Sequence, residues 1–152
     1  MNHPSQSAEL AAAPRRARIL VVDDHEVGRR SLCRLLEAMG YQVTSVKDGK
    51  EAIDSMQTSI VPHFVLTDVR LPDLDGREVV QAALRLVPRP WIAYITGWDL
   101  AAEESRDLGI DWVFLKPLNI SEILAKLEEA LPPDVWIGQS VGNLGEDGCS
   151  SP

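Results

Sequence analysis

At 152 residues, with 45% hydrophobic and 25% charged side chains, the chain can bury one core and has no room for two full domains. Fifteen lysines and arginines stand against 23 aspartates and glutamates, a net charge of -8 that repels a phosphodiester backbone and disfavours direct nucleic-acid binding. No apolar run approaches the ~20 residues of a membrane span, residues 1–10 lack the basic-then-apolar order of a secretory signal, and Cys33 and Cys149 make neither a disulfide framework nor a metal spacing. A reducing, cytoplasmic setting without membrane contact is the expectation.

Residues 1–15 read as a flexible arm, residues 16–131 as the compact domain and residues 132–152 as a flexible tail. The tail opens on Pro132 and Pro133 and then turns rich in Gly, Ser and Asp. Its exception is the triplet Val135-Trp136-Ile137, which either docks back on the domain or on a partner, or makes one packing contact before the chain loosens. Within the domain, ARILVVD is a first strand, followed by Val27, Leu32, Leu35, Leu36 and Met39 at helical spacing until Gly40 stops the helix. YQVTSV is a second strand, and Asp48 with Glu51 makes a capping box for a helix carrying Ala52, Ile53 and Met56. HFVLTD is a third strand ending in acid, after which Asp75 with Glu78 caps a helix that buries Val79, Val80, Ala83 and Leu84. WIAYIT is a fourth strand, with a short helix from Leu100 to Leu108 ended by Gly109. DWVFL is a fifth strand, and Asn119 with Glu122 caps a last helix whose Ile120, Ile123, Leu124 and Leu127 share one face.

Strands apolar on both faces and separated by helices call for a doubly wound α/β fold, a parallel sheet covered on both sides with right-handed crossovers. Ligands in such sheets sit beyond the carboxyl ends of the strands. The residues there are Asp23, Asp24, Asp68, Thr96 and Lys116. Converging carboxylates repel one another by roughly 4 kcal/mol per close pair at an effective dielectric near 20, which implies a cation. Oxygen-only donors favour Mg²⁺ over zinc. With Lys116 as a second positive charge and the Thr96 hydroxyl as a donor, the set describes a phosphoryl-binding pocket.

Taken singly, each residue has a plainer role: Asp24 as a helix N-cap, Asp68 as a surface acid at a strand end, Asp73 and Asp75 as turn and cap residues. His25 is a poor Mg²⁺ donor and is placed at the surface of a first helical turn. His3 and His63 have no clustered partners. Arg29, Arg30 and Arg34 form a basic patch, either a solvated face or a dock for an acidic partner. Gly138, Gly142, Gly145 and Gly148 make no phosphate loop, lacking a preceding strand and a following lysine.

Four stretches in order, ILVVDDHE, VLTDVRLPDLDG, AYITG and FLKPL, resemble the receiver domain of two-component response regulators across residues 16–131. The resemblance implies a flavodoxin-like five-stranded sheet of order 2-1-3-4-5 flanked by five helices. It implies that Asp68 is the phosphoacceptor, phosphorylated by a sensor histidine kinase or a histidine phosphotransfer protein. Mg²⁺ would be bound by Asp24, Asp68 and the backbone carbonyl of Arg70, with Asp23 acting through water. Thr96 and Lys116 would contact the phosphoryl group, and the Lys116-Pro117 bond would be cis. On phosphorylation, Thr96 would move toward the new anion and rearrange the face formed by the fourth helix, fifth strand and fifth helix.

Two departures from the family pattern concern the switch. Val113 stands where most receivers carry Tyr or Phe, flanked by Trp112 and by Phe114, which is expected in the core. Arg70 and Trp98 border the path of attacking water and could shield the acyl phosphate or stack as a cation-π pair. The 21 residues after Leu131 leave no room for an output domain, so a stand-alone regulator acting on a downstream protein, or through a phosphorylation-dependent homodimer, is expected. A piece of a longer regulator would share the chemistry. Two other readings remain: an aspartyl phosphohydrolase using Mg²⁺, which should carry DxDxT where this chain has DDHEV, and a phosphorylation-independent adaptor, which Val113 favours. On the leading reading the chain is no enzyme beyond self-catalysed phosphotransfer and autodephosphorylation.

Overall fold

Runs that are apolar at consecutive positions need cover on both sides, and the computed structural model, which describes residues 17–59, 61–97, 106 and 108–132, supplies it. β1 (Arg18–Val22), β2 (Gln42–Val46), β3 (Phe64–Asp68), β4 (Trp91–Thr96) and β5 (Trp112–Leu115) form one parallel sheet of order 2-1-3-4-5. The central strand β3 is buried at every residue. The described helices are α1 (Glu26–Ala38), α2 (Gly49–Thr58), α3 (Gly76–Leu84) and α4 (Ile120–Ala130). The expected short helix between Leu100 and Leu108 falls mostly outside the described residues, as do the arm at residues 1–15 and the triplet Val135-Trp136-Ile137.

Two apolar cores flank the sheet. Leu32 and Leu36 of α1 and Ile123 and Leu127 of α4 meet Ile19, Phe64, Leu66 and Ile95 on one face. Ala52 and Met56 of α2 and Val79, Val80 and Ala83 of α3 meet Leu20, Val65, Ile92 and Tyr94 on the other. The alternation along each strand sends successive side chains to opposite cores.

Four local expectations are corrected. β2 is not apolar on both faces: Gln42, Thr44 and Ser45 are exposed, because β2 is an edge strand with water on one flank. In α1 only Leu32, Cys33 and Leu36 are buried, while Val27, Leu35 and Met39 are exposed. At about 100° per residue Val27 lies opposite Leu36, so one stripe cannot bury both. Leu84, at the end of α3, is exposed rather than buried. Asp24 does not cap α1; His25 does, its Nδ1 accepting from the Gly28 amide at 3.1 Å.

The other caps follow the sequence closely. Asp75 and Glu78 complete a reciprocal capping box on α3. Asp48 accepts from the Glu51 amide at 2.8 Å, but Glu51 reaches back to Lys47 rather than to Asp48, so that box is half-made. Asn119 accepts from Glu122 at the start of α4. Gly40, at φ +95°, ends α1 in a conformation that residues with a Cβ rarely adopt.

Candidate functional site

Because β1 and β3 are neighbours, with Val22 opposite Thr67, the chain segments leaving both strands emerge side by side. This is the switch point of the sheet, where successive connections diverge to opposite faces. Asp23 and Asp24 leave β1 there, and Asp68 ends β3. One carboxylate oxygen from each lies within 4.8 Å of the others. Asp23 and Asp68 are buried and Asp24 is exposed, so the cluster opens to solvent through Asp24.

Lys116, just past β5, spans the sheet edge to this cluster. Its Nζ lies 2.8 Å from Asp68 Oδ2 and 3.6 Å from Asp23 Oδ2. Its amide donates to the Thr96 carbonyl at 2.8 Å, which fixes the residue beside the end of β4. Burial alone would lower the affinity of the ammonium for its proton, but the hydrogen bond and charge of Asp68, joined by Asp23, outweigh it and hold the pKa above the ordinary lysine value. The lysine is therefore a fixed cation throughout the neutral range. The Lys116-Pro117 bond is cis.

Backbone groups orient the acids. The Arg70 amide donates to Asp68 Oδ1 at 3.0 Å, and the His25 amide donates to Asp23 Oδ1 at 2.9 Å. Gly76 sits so close under the β3–α3 loop that a Cβ there would come within 2.6 Å of the Asp68 carbonyl and 2.7 Å of the Val69 carbonyl. That explains the glycine in the LPDLDG stretch. Gly97, in contrast, has open space where a Cβ would point, next to the buried Thr96.

Two residues have more to do than their sequence context suggested. Asp73 does more than turn chemistry: its carboxylate accepts from the amides of both Gly49 and Lys50, each at 2.9 Å, tying the β3–α3 loop to the first turn of α2. Desolvation pushes its pKa up, yet these amides together with those of Asp73 and Leu74 hold it below the usual carboxylate value. Arg29, grouped with a solvated basic patch, donates from Nη1 to the Asp23 carbonyl at 2.7 Å. Proximity in sequence to the acid pair was the one available signal for Arg29, and an acid in a tight loop facing a helix start was the signal for Asp73.

Of the remaining candidates, Arg70 is exposed beside the cluster and Val113 is half-buried against the core under α2 and α3. Phe114 fills the opposite core, and Trp98 lies outside the described residues. Next to the acids, a groove of about 570 Å³ runs between the start of α1 and the start of α4, its floor and walls including Leu32, Leu35, Pro117 and Ile120.

The model of the response regulator receiver domain matches residues 19–128. The chain belongs to this family. Response regulator MprA of Mycolicibacterium vanbaalenii is 38% identical over 128 residues, covering 81% of this chain and 55% of that protein. Sensor histidine kinase RcsC of Salmonella typhi is 34% identical over 107 residues, 69% of this chain and 11% of that protein. The receiver thus spans about half of the first regulator and a small part of the kinase. Among solved structures, a CheY-like receiver domain protein from Methanospirillum hungatei superposes with a TM-score of 0.72 at 28% identity, covering 82% of this receiver and 98% of that chain. Chemotaxis response regulator CheY4 of Vibrio cholerae gives 0.69 at 27% identity, covering 76% and 99%. The flavodoxin-like fold and the two-component class are thereby established for this receiver, whose described residues include no helix long and apolar enough to cross a membrane.

Proposed function

We propose that the receiver is a phosphoacceptor that takes a phosphoryl group onto Asp68 from a phosphohistidine donor and signals by protein contact. The observation that carries this reading is the setting of the Asp68 carboxylate: one oxygen is held by the Arg70 amide, the other by Lys116, and the group lies beside Asp23 and Asp24. A buried carboxylate at a strand end, oriented by two donors, is a positioned nucleophile.

Three carboxylates with no nitrogen or sulfur donor suit a hard divalent cation, and Asp24, Asp68 and the Arg70 carbonyl, with Asp23 through water, would hold Mg²⁺. When bound, Mg²⁺ supplies neutralising charge to the cluster and to the transferring phosphoryl group. The chain's own contribution is orientation. An Asp68 oxygen forms the new bond to phosphorus as the bond from phosphorus to the donor imidazole breaks, and the imidazole nitrogen regains a proton from solvent. Lys116 then exchanges its carboxylate partner for a phosphoryl oxygen, and the Thr96 hydroxyl donates to another.

The apolar groove beside the acids suits a helix of the kinase or phosphotransfer partner, since Leu35 is exposed on its rim. Cytoplasmic residence, a downstream protein target and phosphorylation-dependent pairing belong to the same reading. Val113 favours a second reading, an adaptor whose contacts ignore phosphorylation, because a valine is too short for the inward swing of an aromatic ring.

Treatment with acetyl phosphate and Mg²⁺, followed by borohydride reduction and peptide mapping, tests the proposal. The expected product is homoserine at position 68. Reduction at another carboxylate, or none, rejects the assignment.

A further inference from the structure

At the opposite end of the sheet the strands begin with aromatic rings. Phe64 of β3 stacks on Trp112 of β5 at 5.5 Å between centroids and 5° between planes, and Trp112 meets Trp91 of β4 at 5.2 Å. The stack runs outward from a fully buried ring to one that is 40% exposed, Trp91. An indole with that much surface in water forgoes burial that the same ladder gives its neighbours. The charged groups next to it are already engaged: Arg89 pairs with Asp111 at 3.1 Å and donates to the Gly109 carbonyl, and Asp111 accepts from the Ile92 amide. The edge therefore calls for an apolar occupant rather than a charged one.

The chain leaves the described residues at this same end. Leu131 is buried in the cluster that contains Phe64, and Trp112 and Ala130 pack against that cluster. Pro132 and Pro133 follow, and then Asp134 and the apolar triplet Val135-Trp136-Ile137. Proline cannot continue α4 and favours an extended course. Trp136 follows Pro132 by four steps of the chain, a reach of up to about 14 Å when extended.

We propose that Val135-Trp136-Ile137 folds back on the exposed end of this ladder, with the Trp136 indole covering Trp91. The occupant is a segment of the same chain because it is tethered a few residues from the patch, where the effective concentration is high without any association cost. A second copy is the poorer occupant: the exposed face of one indole is on the order of 100 Å², far below the roughly 800 Å² per partner of a standard interface. The contact lies at the end of the sheet away from Asp68, so it stabilises the domain without entering the phosphoryl site.

Fluorine NMR on the full chain labelled with 5-fluorotryptophan tests this, the four tryptophan resonances being assigned by single substitutions. Docking predicts that Trp136→Ser shifts the Trp91 resonance, that Trp91→Ser returns the Trp136 resonance to its position in a free peptide spanning residues 131–140, and that neither effect changes on dilution. Since Trp91 is exposed, both variants fold, and each should melt a few degrees below the wild type. A Trp136 resonance that coincides with the free peptide in the wild type overturns the proposal. So does a shift that fades on dilution, which would assign the patch to a second copy instead.

Discussion

At the carboxyl end of the sheet, Asp23, Asp68 and Thr96 are buried polar groups gathered around Lys116, whereas the amino end of the same strands stacks Phe64, Trp112 and Trp91 and holds one titratable group neutral. That group is His63, whose Nδ1 accepts from the Arg18 amide at 3.0 Å; burial, with the nearby Arg18 charge, lowers its pKa from 6.5 to about 4. One end concentrates charge and depends on a cation for balance. The other pairs the charge it carries, as in Arg89 with Asp111, and supplies packing. A parallel sheet makes this division possible because every strand contributes its last residue to one edge and its first to the other. Stability and phosphoryl chemistry should therefore be separable by mutation.

The largest stability effect should come from the amino end. Phe64→Ala removes a fully buried ring from the centre of the sheet and should cost about 3 to 5 kcal/mol in chemical denaturation, as a cavity under Trp112 and α4 cannot collapse. An equal loss from Asp68→Asn would erase the division. Relief of carboxylate repulsion predicts that Asp68→Asn leaves the stability of the metal-free protein unchanged or raises it.

Cation binding should sharpen the contrast from the other side. Mg²⁺ at a hundredfold excess over its dissociation constant should add about 2.7 kcal/mol to the wild type by linkage, read as a rise in melting temperature. Asp24→Asn should remove most of that rise, and Phe64→Ala should keep it on a lower baseline. A rise of the same size in Asp24→Asn would place the ion elsewhere.

A smaller effect belongs to His63. Its folded pKa of about 4 lies below the 6.5 of the unfolded chain, so between those values the unfolded state binds more protons and stability falls as the pH is lowered. The contribution is fully present above pH 6.5 and is lost as the pH falls toward 4. For a half-exposed ring the total should be about 1 kcal/mol, after allowing for solvent screening. His63→Asn keeps an acceptor for the Arg18 amide and removes the titration, so its melting temperature should vary less with pH over that window. An unchanged slope would show that other groups carry it.

Much of the architecture was legible in the sequence because the two periodicities are strong: consecutive apolar runs for β3 and β4, and cap residues at Asp48, Asp75 and Asn119 that set the helix starts. The acids, Thr96 and Lys116 were legible as strand-end residues. The doubly wound pattern places Asp23, Asp24 and Asp68 at one edge of the sheet, but the order 2-1-3-4-5 that makes β1 and β3 direct neighbours is not encoded by periodicity; the family resemblance supplies it. Also hidden were interactions between segments far apart in the chain, such as the carboxylate of Asp73 on the amides of Gly49 and Lys50. The exposed side of α1 is not legible in the pattern, because Val27, Leu35 and Met39 are apolar without being part of the buried stripe. Leu35 instead borders the groove beside the site.

The most direct measurement is the intact mass of wild type, Asp68→Asn and Phe64→Ala after incubation with acetyl phosphate and Mg²⁺. The account predicts one added phosphoryl group on the wild type and on the folded fraction of Phe64→Ala, and none on Asp68→Asn. Equal labelling of wild type and Asp68→Asn would contradict it.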